Sequence, residues 1–163
     1  MDPQVDADAR DDDVSPSRRD FVAFYESAHA DQVRRAYMLV RSNEQANDIV
    51  HDAMVGVWRR WPLENPAGYL NRAVLNGCRD AARRQSSHHT VVGRLRPTTM
   101  NDPPSEHLDD VLAGLPFNQR AAVVLRYYCG WSTQEIAEAL ACPANSIGPW
   151  ISRALAQMRK ELA

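Results

Sequence analysis

Three observations predict that this chain is all-α. Glycine is scarce, at 7 of 163 residues, and few segments alternate apolar and polar residues as strands do. Apolar residues instead recur every three or four positions through most of the chain. Two such segments open on helix-capping sequences, Ser42–Gln45 and Ser132–Glu135. We expect two small helical domains, 20–85 and 106–163, joined by a flexible linker at 86–105 and preceded by a leader at 1–19.

The composition excludes several classes of protein. No apolar run approaches the roughly 18 residues of a membrane span, and the acidic N-terminus is unlike a secretory signal. These features predict a cytoplasmic protein without a membrane partner. Cys78, Cys129 and Cys142 form no C-x-x-C pair, so we expect small buried residues rather than disulfides or a zinc site.

The leader at 1–19 is rich in aspartate and lacks helical periodicity. Residues 1–20 carry seven Asp against three Arg, whereas residues 21–85 carry nine Arg against seven acids. Such a leader cannot bury enough surface to offset its ordering entropy, which predicts disorder. An alternative is that it mimics DNA and covers the basic face of the first domain.

The first domain should contain three helices. The first spans about 20–40, with a change of apolar stripe near 30–31, and the second runs from the Ser42 cap to about Trp61. The second helix has a periodic face that we expect to be core: Ala46, Ile49, Val50, Ala53, Met54, Val57, Trp58 and Trp61. Its opposite face is polar and interrupted by Val55 and Gly56, which leaves a flat patch suited to a partner helix.

The third helix should begin after the break at 61–65, with Asn65 as cap and Pro66 in its first turn. Its inward positions include Leu70, Val74 and Cys78. The outward positions form a basic stripe: Arg72, Asn76, Arg79, Arg83 and Arg84. Such a stripe can meet phosphates, although a solvated helix face is the plain alternative.

Residues 86–105 read as a linker because they combine three prolines, a glycine and small polar residues. His88 and His89 have no acidic or cysteine companion nearby, so we expect no metal or other cofactor. The second domain should begin with a short helix around 108–112. A helix at 117–128 follows, with Gly130 as its stop.

Residues 131–162 contain two amphipathic helices separated by a short break at 141–143. This is the pattern of a helix-turn-helix, whose second helix usually enters the major groove of DNA. An ordinary helical hairpin in an all-α core is the alternative.

The segments ANDIVHDAMVGVWRRW, NPAGYLNRAVLNGCRDAARR and LAGLPFNQRAAVVLRYYCGWSTQEIAEALACPANSIGPWISRALAQMRKEL follow in this order. Together they resemble an extracytoplasmic-function (ECF) RNA polymerase sigma factor of the actinobacterial sigma-E-like group. The resemblance covers about 20–85 and 106–162. It implies a non-enzymatic initiation factor with sigma regions 2 and 4, which binds core polymerase and promoter DNA. An anti-sigma factor as a further partner stays open.

The resemblance also implies site residues. The β′ clamp helices of the polymerase would contact Asp48, His51, Asp52 and Val55. The −10 element would be melted and read by Trp61, Leu63, Glu64, Asn65, Arg72, Asn76, Arg79, Arg83 and Arg84. The β flap would bind the second domain, and the −35 element would be read by Ser132, Thr133, Asn145, Ser146, Trp150 and Arg153.

This chain departs from the family pattern in the recognition helix, at Gly148-Pro149-Trp150. Proline inside a helix costs about 3 kcal/mol and glycine up to about 1 kcal/mol. We expect either a separate turn at 144–147 with the helix starting at Pro149, or a kinked helix. Packing is the preferred role for Trp150.

Parts of the sequence also fit two other functions. A sigma-like interaction module with weak or no −35 reading is favoured by the charge of −1 on residues 106–163 and opposed by the arginine stripe. An enzyme would need a convergent His, Asp, Glu or Cys group, and the five histidines are scattered.

Overall fold

The computed structural model of the chain describes residues 16–89 and 105–163. Within these ranges all regular structure is helical, which confirms the all-α prediction. None of the described helices is both long and apolar enough to cross a bilayer. The assignments made for residues 1–15 and 90–104, and for the side chains of His88 and His89, lie outside the described residues.

The first half consists of three helices that contact one another: α1 (Pro16–Val40), α2 (Asn43–Arg59) and α3 (Pro66–His89). Ser42 caps α2, since its hydroxyl accepts the Gln45 N–H at 3.2 Å. The Gln45 side chain does not complete a capping box, because its Oε1 accepts a hydrogen bond from Gln85 on α3. Asn65 caps α3 as predicted, accepting the Gly68 N–H at 3.0 Å.

The second half packs four helices: α4 (Ser105–Ala113), α5 (Phe117–Val123), α6 (Thr133–Leu140) and α7 (Ile147–Leu162). α5 continues into a π-helical turn, Val124–Tyr128, instead of the single α-helix predicted, with the Cys129 N–H bonded to the Val124 carbonyl. Gly130 then stops the helix at φ +70°, a conformation that costs glycine little. The capping box of Ser132 and Glu135 is complete, with both hydrogen bonds formed.

Three predictions about element bounds and burial were wrong. α1 begins at Pro16, inside the predicted leader. α3 continues to His89, four residues into the predicted linker. Trp58 is 46% exposed rather than core, because its ring packs against Phe21, with centroids 4.8 Å apart, at an open groove between α1 and α2.

The two halves share one hydrophobic core, which the sequence did not reveal. Ala36 and Leu39 of α1 and Cys78 of α3 belong to the same buried cluster as Leu125 and Ile136 from the second half. A smaller cluster of Leu112, Leu115, Val123 and Ala154 lies within the second half. Contacts between α3 and α6 join the helix of the predicted −10 stripe to the first helix of the predicted helix-turn-helix.

Candidate nucleic-acid interface

The basic stripe lies along α3, whose other side is held by Leu70, Val74, Leu75 and Cys78 in the core. Four of the five stripe residues are exposed: Arg72, Asn76, Arg83 and Arg84. Arg79 is half-buried, which differs from the fully outward position that periodicity predicted. Its guanidinium lies 5.9 Å from the centre of the Phe117 ring, so residues of the second half cover it.

The loop before α3 presents only part of its predicted contact set. Trp61 is half-buried, with ring centroids 5.4 Å from Phe21 and 5.9 Å from Phe24. Leu63 also packs against the core. Glu64 and Asn65 are exposed. The aromatic contacts therefore fix the loop, and its polar residues face outward.

Two arginines of the stripe reach the end of α6. Arg79 donates to the Leu140 carbonyl at 3.0 Å, and Arg72 donates to the Glu138 carbonyl at 3.3 Å. Carbonyls in the last turn of a helix lack intrahelical partners and carry the negative end of its dipole. The two guanidinium groups therefore cap α6 from the opposite half of the protein.

The helix-turn-helix is formed by α6 and α7. A short 3₁₀ turn, Ala144–Ser146, leads directly into α7 at Ile147. Pro149 is the third residue of α7, where backbone N–H groups have no partner within the helix, so it costs far less than in a helix interior. The predicted separate turn is present at Ala144–Ser146, but the helix begins at Ile147, two residues before the predicted start at Pro149.

The predicted −35 residues differ in accessibility. Asn145 and Arg153 are exposed, Ser146 is half-buried, and Trp150 packs partly against the core as expected. Ser132 is occupied as the cap of α6, and the Thr133 hydroxyl accepts a hydrogen bond from Arg126. The exposed members of the predicted −35 set that are not engaged as a cap are therefore Asn145, on the turn before α7, and Arg153, on α7.

Sequence reasoning missed other exposed residues of α7. Ile147 and Ala154 are buried, so the opposite side of α7 faces outward. This outward face, all exposed, consists of Pro149, Ser152, Arg153, Ala156 and Lys160. The period of 3.6 residues measured from Ile147 could have identified Ser152 and Lys160 before the structure was known.

The acidic face of α2 is open. Asp48, His51 and Asp52 are exposed, and Val55 is half-buried. His51 and Val55 line an apolar groove of about 440 Å³ between α1 and α2, whose other walls include Val22, Met54 and Trp58. Trp58 was assigned to the core by periodicity, so its place in this surface was missed.

A buried arginine of the second half bonds to backbone carbonyls of both halves. Arg120 of α5 donates to the carbonyls of Leu112, Ala113 and Leu115 in its own half, at 2.8, 3.1 and 2.9 Å, and to the Leu39 carbonyl of α1. Burial lowers the pKa of the Arg120 guanidinium, and nearby Arg41 lowers it further. Burial also raises the pKa of the Cys78 thiol to about 12, with an opposing effect from Arg120.

Within 16–89 and 105–163, no three His, Cys, Asp or Glu side chains converge as metal ligands. The helix surfaces instead present exposed guanidinium, hydroxyl and carboxylate groups. Such groups are suited to binding DNA and protein.

Residues 24–88 match the family described as Sigma-70 region 2, and residues 105–158 match Sigma-70, region 4. The chain is 32% identical over 139 residues to the RNA polymerase sigma-E factor of Streptomyces coelicolor, covering 80% of this chain and 78% of that protein. It is 28% identical over 158 residues to the ECF RNA polymerase sigma factor SigM of Mycobacterium tuberculosis, covering 91% and 80%.

Two solved structures share the fold. The sigma factor RpoE of Bartonella quintana, crystallised with the anti-sigma factor NepR, superposes with a TM-score of 0.67 at 19% identity, covering 88% of this chain and 97% of that one. CnrH, in complex with the cytosolic domain of CnrY, gives 0.65 at 21% identity and covers 90% of each chain. The chain therefore belongs to the ECF RNA polymerase sigma factors, which direct promoter-specific initiation of transcription.

Proposed function

We propose a division of labour between the two halves of the chain. Residues 20–85 bind core polymerase and melt and read the −10 element, whereas residues 106–163 bind the β flap and read the −35 element. Residues 86–105 join them and 1–19 precede them. The observation that carries this proposal is the placement of a basic face on α3 and an acidic, apolar face on α2 of the same bundle.

The polymerase-binding surface is the face of α2 that carries Asp48, His51, Asp52 and Val55. Its carboxylates would repel DNA but attract a basic coiled coil such as the clamp helices of β′. The adjoining groove adds apolar area, since Val22 and Trp58 are 44% and 46% exposed. An exposed tryptophan beside a charged rim is typical of an interface hot spot.

The −10 surface combines the loop 61–65 with the arginine stripe of α3. Melting a duplex requires capture of unstacked bases together with contacts to the phosphates. Glu64 and Asn65 are the exposed polar groups of the loop, held by the Trp61 contacts to Phe21 and Phe24. Four stripe residues supply the positive and amide groups beside it: Arg72, Asn76, Arg83 and Arg84.

The −35 surface is the outward face of α7 together with the turn before it. Arg153 can bond a guanine bidentately, Asn145 can bond an adenine, and Ser152 can bond either base. Lys160 would contact a phosphate. The other predicted −35 residues support this surface rather than read bases. Ser132 caps α6, and the Thr133 hydroxyl accepts a hydrogen bond from Arg126. Ser146 is half-buried, and Trp150 packs against the core.

The interaction module remains the second candidate function. Residues 106–163 carry five basic and six acidic residues, which weakens their attraction to DNA phosphates. In this alternative the protein binds polymerase or a regulator with little −35 reading. In either case the protein works in the cytoplasm without catalysis of its own. We also propose an anti-sigma factor as its regulator, because RpoE of the same fold was crystallised with the anti-sigma factor NepR.

The test is run-off transcription with purified core polymerase on fragments of the host genome. We expect specific transcripts that require this protein. The double substitution Asp48→Lys/Asp52→Lys should weaken polymerase binding at least tenfold without lowering Tm, because both carboxylates are exposed. The matched control, Glu26→Lys/Glu161→Lys, makes the same charge change at exposed positions off α2 and should bind normally.

Each outcome discriminates between the candidates. Polymerase binding without any specific transcript would leave only the interaction module. Equal weakening in both double variants would show a general charge effect, and the α2 face would then lose its assigned role.

A further inference from the structure

A cleft of about 730 Å³ lies beside the second half of α3. Its wall on α3 carries Arg79 and Arg83, and the opposite wall includes Phe117, Arg120 and Trp150. Pockets for small molecules occupy roughly 300–1,000 Å³. The cleft is therefore large enough for a small organic ligand that touches both walls.

The walls of this cleft are cationic. Arg79, Arg83 and Arg120 line it, and none of the residues of 16–89 and 105–163 that form its walls is Asp or Glu. Burial lowers the pKa of Arg120, and nearby Arg41 lowers it further. Both effects oppose the positive charge, whereas an anion in the cleft would stabilise it. Three guanidinium groups without a carboxylate on the walls favour a ligand with several negative charges.

The guanidinium groups on α3 are placed to hold such an anion together. Arg79 is half-buried and Arg83 is exposed, and they lie one helical turn apart on the same side of α3. A guanidinium has several N–H donors, and a terminal nitrogen of Arg79 donates to the Leu140 carbonyl at 3.0 Å. Planar guanidinium groups bind phosphate oxygens through pairs of parallel hydrogen bonds. Phosphates are therefore the anionic groups that suit this wall.

The opposite wall suits an aromatic group. Phe117 and Trp150 are both half-buried there, and the Arg79 guanidinium already lies 5.9 Å from the centre of the Phe117 ring. An indole offers a flat face on which a nucleobase can stack. Asn118, half-buried at the same wall, has an amide with both donors and an acceptor for the edge of a base.

We propose that this cleft binds a nucleoside polyphosphate. The phosphates lie on the guanidinium groups of Arg79 and Arg83, near the buried charge of Arg120, and the base lies against the Trp150 indole. The volume of the cleft suits one nucleotide rather than a continuous strand. This binding is independent of the roles proposed for the promoter surfaces.

The experiment measures binding of ATP to the full chain by isothermal titration calorimetry, without magnesium, so that the phosphates keep their full charge. The variant Arg83→Gln removes one guanidinium from the cleft. Its matched control is Arg84→Gln, because Arg84 is the next residue of α3, is also exposed and does not line the cleft. Both substitutions make the same charge change at exposed positions, so both variants should keep the Tm of the unmodified protein.

We expect Arg83→Gln to weaken ATP binding by about tenfold, because it removes a charge-assisted contact to phosphate. Arg84→Gln should bind ATP within about twofold of the unmodified protein, since salt screens a charge outside the cleft. A dissociation constant above about 1 mM for the unmodified protein would overturn the proposal. Equal weakening in the two variants would also overturn it, because the cleft would not be the site.

A second probe, sodium tripolyphosphate, carries the phosphates without a nucleoside. We expect it to bind about fivefold or more weakly than ATP, because it cannot stack on an aromatic ring. Trp150→Leu should weaken ATP binding to the same level and leave tripolyphosphate binding unchanged, whereas Trp150→Phe should keep most of the affinity for ATP. Because a folding defect would lower the affinity for both probes, unchanged tripolyphosphate binding isolates the contribution of the indole. Equal affinities for ATP and tripolyphosphate in the unmodified protein would overturn the nucleoside class.

A short single-stranded DNA of random sequence separates this cleft from the proposed −10 surface. Arg83 and Arg84 are both proposed to contact DNA, so the oligonucleotide should lose affinity in both variants, whereas ATP loses affinity in one. An oligonucleotide that depends on Arg83 and not on Arg84, as ATP does, would assign the cleft to nucleic acid and overturn the proposal. If the oligonucleotide depends on neither arginine, the −10 assignment fails, and the dependence of ATP on Arg83 still supports the cleft.

Discussion

Replacement of Arg120 by methionine should lower the free energy of unfolding by about 3–4 kcal/mol. Arg120 is 9% exposed, and its guanidinium donates to four backbone carbonyls, three in its own half and one at the end of α1. Methionine fills much of the same volume but supplies no donor. The substitution therefore leaves carbonyls of Leu39, Leu112 and Leu115 buried without this partner.

The magnitude follows from the acceptors that the substitution leaves behind. A buried carbonyl left without a donor costs about 1–3 kcal/mol. The Leu39 and Leu115 carbonyls lose the Arg120 donor, whereas the Leu112 carbonyl keeps the Leu115 N–H. Two such groups give the 3–4 kcal/mol expected, a large share of the roughly 5–15 kcal/mol that stabilises a typical domain.

The assay is urea unfolding of the full chain, followed by circular dichroism and by tryptophan fluorescence. Arg120→Lys should lose about half as much stability, because one ammonium cannot reach carbonyls on both sides as the planar guanidinium does. Arg153→Met, at an exposed position of α7, is the control and should change stability by less than about 0.5 kcal/mol. A loss below about 1 kcal/mol for Arg120→Met would falsify the view that this guanidinium is the polar centre of the fold.

Three further outcomes are expected. Gly148→Ala should raise stability by about 0.5 kcal/mol in the same urea assay, because the position is exposed and an added Cβ meets nothing within 4 Å; a decrease would mean that the start of α7 needs glycine. Arg153→Ala should weaken binding of a −35 duplex by about 1–3 kcal/mol with unchanged Tm, and equal loss on all duplex sequences would reassign Arg153 to a phosphate. The pKa of Cys78, raised from about 9.0 to about 12, makes the folded state keep a proton that the unfolded state loses, so this contribution to stability is complete below pH 9 and is lost between pH 9 and pH 12. The stability difference between the unmodified protein and Cys78→Ala should therefore be about 1 kcal/mol smaller at pH 10 than at pH 7. A difference that stays the same at both pH values would contradict the raised pKa.

Local sequence was sufficient for most helix boundaries. Ser42, Asn65 and Ser132 cap the helices that their positions predicted, since a cap depends on groups within three residues along the chain. Gly130 ends its helix for the same local reason. The errors occurred where neighbours in space decide the outcome, as at Trp58, which periodicity assigned to the core and which lies at the rim of a groove.

The sequence by itself determined the helical class, the caps, the positions of the basic and acidic faces, and the family to which the chain belongs. Each of these depends on residue types at fixed spacing. Only the tertiary structure decided how the two halves meet. Arg72 and Arg79 look like free DNA contacts in the sequence, yet they cap α6 more than sixty residues away. Periodicity tells which side of a helix is polar, but what lies opposite that side depends on packing between distant segments.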